Sequence, residues 1–324
     1  MSELHVIYGS GPAGCWTAKA LIAMDKAVRA VNRSGKRPAL MPHEVEVVAS
    51  DVSDPRQAIE VAQGASVVYQ ALNPPYHQWH ELFPGLQAGA MAAAKAVGAR
   101  YVSIENLYMY DSSQPISEGS PETPKSKKGE LRRQMGEDVM AAHRSGDIQA
   151  ASLRSSDYYG PGVTGSAMGE MVFGNLAAGK KAQLGGSDKM PHSWAYIEDV
   201  GKAAAILGTQ DQAFGQVWIA PHAEPVTQGE MVHMAAAEFG REPKYSVMGT
   251  LMMWLGGLFI PEAKASVEML YEFNAPFIVD SSKFENTFGI MATPIREGIK
   301  ATASWYTEFQ SAPQVLEEKE MLGT

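Results

Sequence analysis

Cysteine is almost missing from this 324-residue chain: Cys15 is the only one. No intrachain disulfide can form, and a cysteine-based zinc site is excluded. Missing too is a charged segment followed by an apolar core at the start, since Met1 leads straight into a strand-like run; this argues against a secretory leader. Long apolar runs are absent. The most apolar stretch, Val247 to Ile260, has about 14 residues, short of the roughly 20 that a spanning helix needs. There is no basic excess either: 27 Lys and Arg against 36 Asp and Glu leave a formal net charge of −9. That balance disfavours nucleic acid or an anionic membrane as the main partner. No solenoid-type repeat is seen. With 45% hydrophobic and 19% charged residues, the composition is that of a compact globular chain. The expectation is a cytoplasmic protein with one large α/β domain, or such a domain with a smaller partner lobe.

What is present is an alternation of short apolar strands with helical segments. Strands are expected at Leu4–Tyr8, Val28–Asn32, Val45–Ala49, Ser66–Gln70, Arg100–Ile104 and Gln149–Arg154, and helices at Pro12–Lys26, Glu81–Val97 and Lys127–Arg144. This is the signature of βαβ units, and it predicts a doubly wound parallel sheet covered on both faces. Beyond Gly160 the rhythm loosens. Later strands at Gln216–Ile219 and near Phe277–Val279 could return to the sheet. The expected division is a dinucleotide-binding core over 1–160, with returns near 195–220 and 275–281. A smaller, discontinuous substrate lobe would comprise 161–194, 221–274 and 282–324.

The first turn reads HVIYGSGPAGCWTAKAL. Gly9, Gly11 and Gly14 form G-x-G-x-x-G directly after a strand and at the opening of a helix. The first glycine permits the tight turn, the second lets backbone approach a pyrophosphate, and the third allows close helix–strand packing. Gly9, Gly11, Pro12, Ala13 and Gly14 would then cradle the phosphates at the helix N-terminus. The end of the second strand indicates which dinucleotide. An NAD site usually carries an acidic residue there for the ribose hydroxyls. This chain reads AVNRSGKRP, with Asn32, Arg33, Ser34 and Lys36 and no carboxylate between Lys26 and His43. Arg33 and Lys36 can neutralise a 2′-phosphate and Ser34 can add a hydroxyl, so NADP(H) is the expected cofactor. The competing reading is a solvated basic loop. Asp51 and Val52, after the third strand, would lie beside the adenine. Ala71, Leu72 and Asn73, ending the fourth strand, would lie along the pyrophosphate and nicotinamide ribose.

These residues resemble the short-chain dehydrogenase/reductase superfamily, in particular its extended branch of NAD(P)-dependent epimerases and dehydratases and its atypical relatives. The resemblance rests on the glycine turn, Arg33-Ser34, RSSDYYGPGV (Arg154–Val163), SWAYIEDVGKA (Ser193–Ala203) and TPIREGIKATASWY (Thr293–Tyr306). It implies a Rossmann core, a split substrate lobe, hydride chemistry on a nicotinamide, and Ser156 among the cofactor contacts. It also implies a Tyr-x-x-x-Lys pair with a Ser or Thr after the fifth strand, the lysine lowering the tyrosine's pKa so that it can exchange a proton. Here the chain departs. The serine position falls on Glu105-Asn106, with Asn106 the better match. The tyrosine position falls on Thr123, Pro124 or Gly129, depending on the alignment, and the lysine position on Lys127 or Lys128. Another group could supply the proton: Tyr108 and Tyr158 rank together as candidates with Lys128 as the activating cation, and Tyr110 is read as a packing residue. Alternatively water or a substrate group supplies it, or the protein does not turn over.

Elsewhere, His77 and His80 lack a third ligand and read as capping or packing residues, and no metal is expected. His192 stands where sugar-nucleotide epimerases often carry an arginine for the diphosphate. The run from Met248 to Phe259 could line an apolar pocket or form a lobe core or dimer face. The leading expectation is an NADP(H)-dependent oxidoreductase acting on a small, fairly apolar carbonyl or unsaturated compound. The alternatives are a sugar-nucleotide epimerase or dehydratase, and a non-catalytic NADP(H) sensor. A homodimer is left open.

Overall fold

A computed structural model describes residues 3–249 and 261–311 of the chain. Its centre is a seven-stranded sheet built from β1 (Leu4–Tyr8), β2 (Ala27–Asn32), β3 (Glu46–Ala49), β4 (Ala65–Gln70), β5 (Arg100–Asn106), β6 (Ala150–Ser155) and a last strand, Val217–Ile219. All pairings are parallel. The order is Val217–Ile219, β6, β5, β4, β1, β2, β3, so the chain winds outward in both directions from β1 and β4. The adjacent carboxyl ends of those two strands are the topological switch point, where open α/β sheets bind ligands.

The strands read as near-continuous apolar runs because both faces are covered. On one face, α1 (Pro12–Ala23) and the helix Ile197–Thr209 pack over Ile7, Val67, Val102 and Leu153. On the other, α2 (Pro55–Val61), α3 (Trp79–Val97) and α4 (Lys127–Arg144) enclose Val6, Tyr8, Val68 and Tyr101. Alanines 90, 93 and 94 and Gly89 bring α3 close to the sheet; a Cβ on Gly89 would stand 1.7 Å from the Val52 carbonyl oxygen. The free edge at Val217–Ile219 is closed by side chains. Lys283 donates to the Val217 carbonyl (2.9 Å), and the Ile219 amide donates to Glu118 (2.9 Å). This blunts an edge that could otherwise recruit another strand.

A second hydrophobic cluster lies off the sheet. It joins Met168, Val172, Phe173, Leu176 and Leu184 to Met231 and Val232 of the helix Gln228–Glu238, and to Ile295, Ile299 and Tyr306 of the helix Ile295–Ser311. Two segments differ from the sequence-based expectation. Phe277 and Val279 do not rejoin the main sheet; they make isolated bridges to His192 and Ile116. The helix Ser282–Phe288 packs on the sheet, where Phe284 and Phe288 meet Trp218 at ring separations of 6.2 and 4.9 Å. Those two rings are what draws 282–288 to the sheet and away from the second cluster. No described helix is long and apolar enough to cross a membrane. Of the Met248–Phe259 run, residues 250–259 lie outside the described residues.

Candidate active site

The glycine turn sits at the switch point. Gly9 has φ +105°, and a Cβ there would stand 2.4 Å from the Ala71 carbonyl oxygen; a Cβ on Gly14 would stand 2.0 Å from the Gly9 carbonyl oxygen. Both positions therefore exclude any side chain. Gly11 is different: a Cβ would meet nothing within 4 Å. It is the N-cap of α1, offers no side chain to cap the helix, and is followed by Pro12. Open space in front of uncapped helix amides is the geometry an anionic pyrophosphate requires, so these residues fit a dinucleotide.

Asn32 organises the loop after β2. Its amide nitrogen donates to Ser10 Oγ (2.8 Å) and to the Lys36 carbonyl (2.9 Å), and its Oδ1 accepts from the Ser34 and Gly35 amides (3.1 and 2.7 Å). Asn32 thus ties this loop to the glycine turn and has little capacity left for a ligand. Arg37 is spent on the Pro42 and Val45 carbonyls. Arg33, Ser34 and Lys36 are exposed. Asp51 holds the turn into α2 by accepting from the Ser53 amide and hydroxyl. Val52 is 2% exposed, with its side chain in the core, which leaves only its backbone to face a ligand. Ala71 and Leu72 lie against Gly9, and Asn73 is exposed.

Ser156 is engaged within the protein. Its hydroxyl donates to the Ser193 carbonyl and its amide to His222 Nε2 (3.2 Å), while His222 Nδ1 donates to the Ala220 carbonyl (2.6 Å). Its hydroxyl proton is therefore not free for a cofactor.

Around the carboxyl ends of β4, β5 and β6 the chain gathers polar groups. Asn106 ends β5, half-buried, with its Oδ1 3.5 Å from the Tyr108 amide. Tyr108 packs its ring on Trp79, and its hydroxyl interacts with that of Tyr76. The Lys128 ammonium, expected to activate Tyr108 or Tyr158, is engaged by other groups. The Lys128 ammonium bonds to the Glu268 carboxylate and the Ala265 carbonyl and lies over the Tyr76 ring, 4.5 Å from its centroid. Burial pushes the Tyr108 hydroxyl well above its ordinary pKa, and Tyr76, Asp157 and Glu272 push it the same way. Burial also raises Tyr158, whose hydroxyl accepts from Ser155 Oγ at 3.2 Å. Tyr110 does pack: its hydroxyl accepts from Arg154 (2.6 Å), which also pairs with Glu105 across β5 and β6 (3.0 Å).

Two carboxyls at this site, those of Asp157 and Glu272, were not singled out from sequence. Asp157, two residues beyond β6, lies 3.1 Å from His192 Nε2, at ion-pair distance but out of hydrogen-bond alignment. His192 is 1% exposed and stacks between Phe273 and Phe277, each 5.0 Å away. Glu272, on the turn Tyr271–Asn274, is 1% exposed, and its Oε1 has no hydrogen-bond partner among the described residues. Tyr271 faces the same carboxyl. Asp157 follows the strand ending Arg154-Ser155 and could have been found there. Nothing near Glu272 in sequence marks it.

A model of the family described as NAD dependent epimerase/dehydratase matches residues 6–219, from β1 through the last sheet strand. The chain belongs to that family. No curated protein matches the sequence significantly. Among solved structures, similarity extends over nearly the whole chain at low identity. UDP-glucuronic acid 4-epimerase from Bacillus cereus, in complex with UDP-glucuronic acid and NAD, is 16% identical, covering 94% of this chain and 99% of that one with a TM-score of 0.76. An epimerase from Methanothermobacter thermautotrophicus is 14% identical, covering 96% and 94%, with a TM-score of 0.80. dTDP-glucose 4,6-dehydratase from Bacillus anthracis, in complex with NAD, is 13% identical, covering 96% and 98%, with a TM-score of 0.76. At these identities the likeness shows the shared fold.

Within this epimerase/dehydratase family member, one of the positions to which the tyrosine aligns has a physical reason to carry none. Gly129 lies in the first turn of α4, where a Cβ would stand 2.3 Å from the Tyr108 carbonyl oxygen and 2.9 Å from Pro124 Cβ. The loop after β5 closes directly onto α4 there.

Proposed function

We propose that the chain is an NADP(H)-dependent enzyme that moves hydride to and from a hydroxylated, sugar-like substrate, within the sugar-nucleotide epimerase/dehydratase range of its family. The observation that carries this reading is the polar floor at the ends of β4, β5 and β6. Tyr76, Tyr108, Asp157, Tyr271 and Glu272 meet there, and hydroxyls and carboxyls are suited to a ligand bearing several hydroxyls. A small apolar carbonyl would leave the buried Glu272 Oε1 unpaired at a cost. The family match and the sugar-nucleotide ligands of its structural neighbours favour the same reading. The residues 161–194, 221–249 and 261–274 would form most of the substrate lobe.

Gly9, Gly11, Pro12, Ala13 and Gly14 would hold the pyrophosphate, with Ala71, Leu72 and Asn73 along it and Asp51-Val52 at the adenine. A bound nicotinamide would supply or accept hydride at the floor described above. The side chains of Arg33 and Lys36 make no hydrogen bond or ion pair among the described residues, and with Ser34 they would take a 2′-phosphate. Titration calorimetry should give tighter binding for NADPH than for NADH. Arg33→Ala should remove most of the difference, about tenfold to a hundredfold, as a charge-assisted phosphate contact of ~1.5–3 kcal/mol requires. Equal affinities in the unmutated protein would overturn the NADP assignment.

A further inference from the structure

The site needs a proton donor; no cation among the described residues acts on the Tyr108 hydroxyl, and the buried guanidinium of Arg132, which favours ionisation of Tyr158, does not offset that tyrosine's burial. Lys128 is neutralised by Glu268. The remaining acid at the floor is Glu272. It is buried, with Oε1 unpartnered, and it interacts electrostatically with Tyr108 and Tyr76, which extend from the ends of β5 and β4. Asp157 faces it from the end of β6. Two carboxyls this close cannot both ionise cheaply. Asp157 has some solvent access (15% exposed) and His192 beside it; Glu272 is sealed. Burial, then the charge of Asp157, pushes the Glu272 carboxyl well above the usual carboxylate range.

We propose that Glu272 is the proton donor to the substrate oxygen, replacing the tyrosine that this chain lacks. This rests on the hydride-transfer reading above. As hydride from reduced nicotinamide reaches the carbonyl carbon, the π electron pair of the C=O bond moves onto oxygen. That oxygen takes the proton from Glu272, giving an alcohol, a carboxylate and oxidised nicotinamide. The new carboxylate faces Asp157, and the repulsion between them drives its reprotonation by way of Asp157, which reaches solvent. In the reverse direction the carboxylate accepts the hydroxyl proton as hydride leaves. The Tyr271 hydroxyl bonds to the carboxyl and positions it.

The first test needs neither cofactor nor substrate. Infrared difference spectra at pH 7 of the unmutated protein against Glu272→Gln should contain the carbonyl stretch of a protonated carboxylic acid. Glu242→Gln, a control at an exposed carboxylate away from the floor, should leave that band in place. A band absent from the unmutated protein, or persisting in Glu272→Gln, overturns the proposal. The second test uses NADPH with dihydroxyacetone as a hydroxylated carbonyl probe. Glu272→Gln should oxidise NADPH about a hundredfold more slowly or worse, with NADPH affinity unchanged and partial recovery in Glu272→Asp. A Glu272→Gln variant that keeps the parent rate overturns it. Failure of the unmutated protein to bind NADPH would instead sink the hydride-transfer reading, whatever the infrared result.

Discussion

His222 illustrates how a single buried side chain sets a pH limit. Its two nitrogens are consumed by Ala220 and Ser156, and burial depresses its pKa from 6.5 to about 4. The folded protein therefore holds it neutral where the unfolded chain would bind a proton. Its contribution to stability is complete above pH 6.5, declines as pH falls below that value, and has been lost by about pH 4. His5, also lowered to about 4 by burial, acts with the same sign. Glu272 acts with the opposite sign, because its raised pKa favours the folded state as pH falls. A difference measurement isolates His222. Denaturant unfolding of the parent and of His222→Gln should show a stability gap that narrows between pH 6.5 and 4, by on the order of 3 kcal/mol at most. A gap independent of pH would mean that His222 is not held neutral.

At the scale of elements, α4 and the loop after β5 depend on one missing side chain. Gly129→Ala places a methyl group 2.3 Å from a backbone oxygen that has no room to retreat, since Pro124 lies on the other side. The expected cost is about 1–3 kcal/mol, seen as a lower denaturation midpoint. Gly85→Ala provides the contrast. Gly85 is an exposed position inside α3 with nothing within 4 Å of an added Cβ, so alanine should stabilise by ~0.5–1 kcal/mol. If both changes shift the midpoint alike, the close approach at Gly129 is not what the loop requires. Elements were also the most legible level of the sequence. The expected helix Lys127–Arg144 coincides with α4 to the residue, and Ser126 caps it by accepting from the Gly129 amide. By contrast α2 was missed: at seven residues it is too short to show a period, and only Asp54 and Pro55 announce it. Phe277–Val279 has the composition of a strand but lies beyond the sheet's reach, a tertiary outcome that local propensity does not encode.

At the scale of the whole molecule, the two halves of the site differ in how they are written. The cofactor half is local: a strand end, three glycines and a helix start lie within one short stretch, so the sequence displays it. The floor is assembled from Tyr76, Tyr108, Asp157 and Glu272, far apart in the chain, and no spacing rule joins them. What brings Glu272 to the floor is the docking of its segment on the start of α4. The Lys128 ammonium, 5% exposed, binds Glu268 and the Ala265 carbonyl, and Glu268 also accepts from the Lys127 amide (3.0 Å). Lys128 is thus a latch for the segment 264–274, and its departure from the expected catalytic role follows from that engagement. Lys128→Met keeps the length of the side chain and its packing on Tyr76 but removes the charge. The loss of a largely buried, charge-assisted contact of ~1.5–3 kcal/mol should loosen the segment. Native-state hydrogen exchange should then quicken about tenfold to a hundredfold across 264–274, with the amides of β5 and β6 unchanged. NADPH affinity should hold, because the glycine turn lies elsewhere on the sheet. Unchanged exchange in 264–274 would show that the segment is held by its apolar contacts alone, and Glu272 would then be positioned without Lys128.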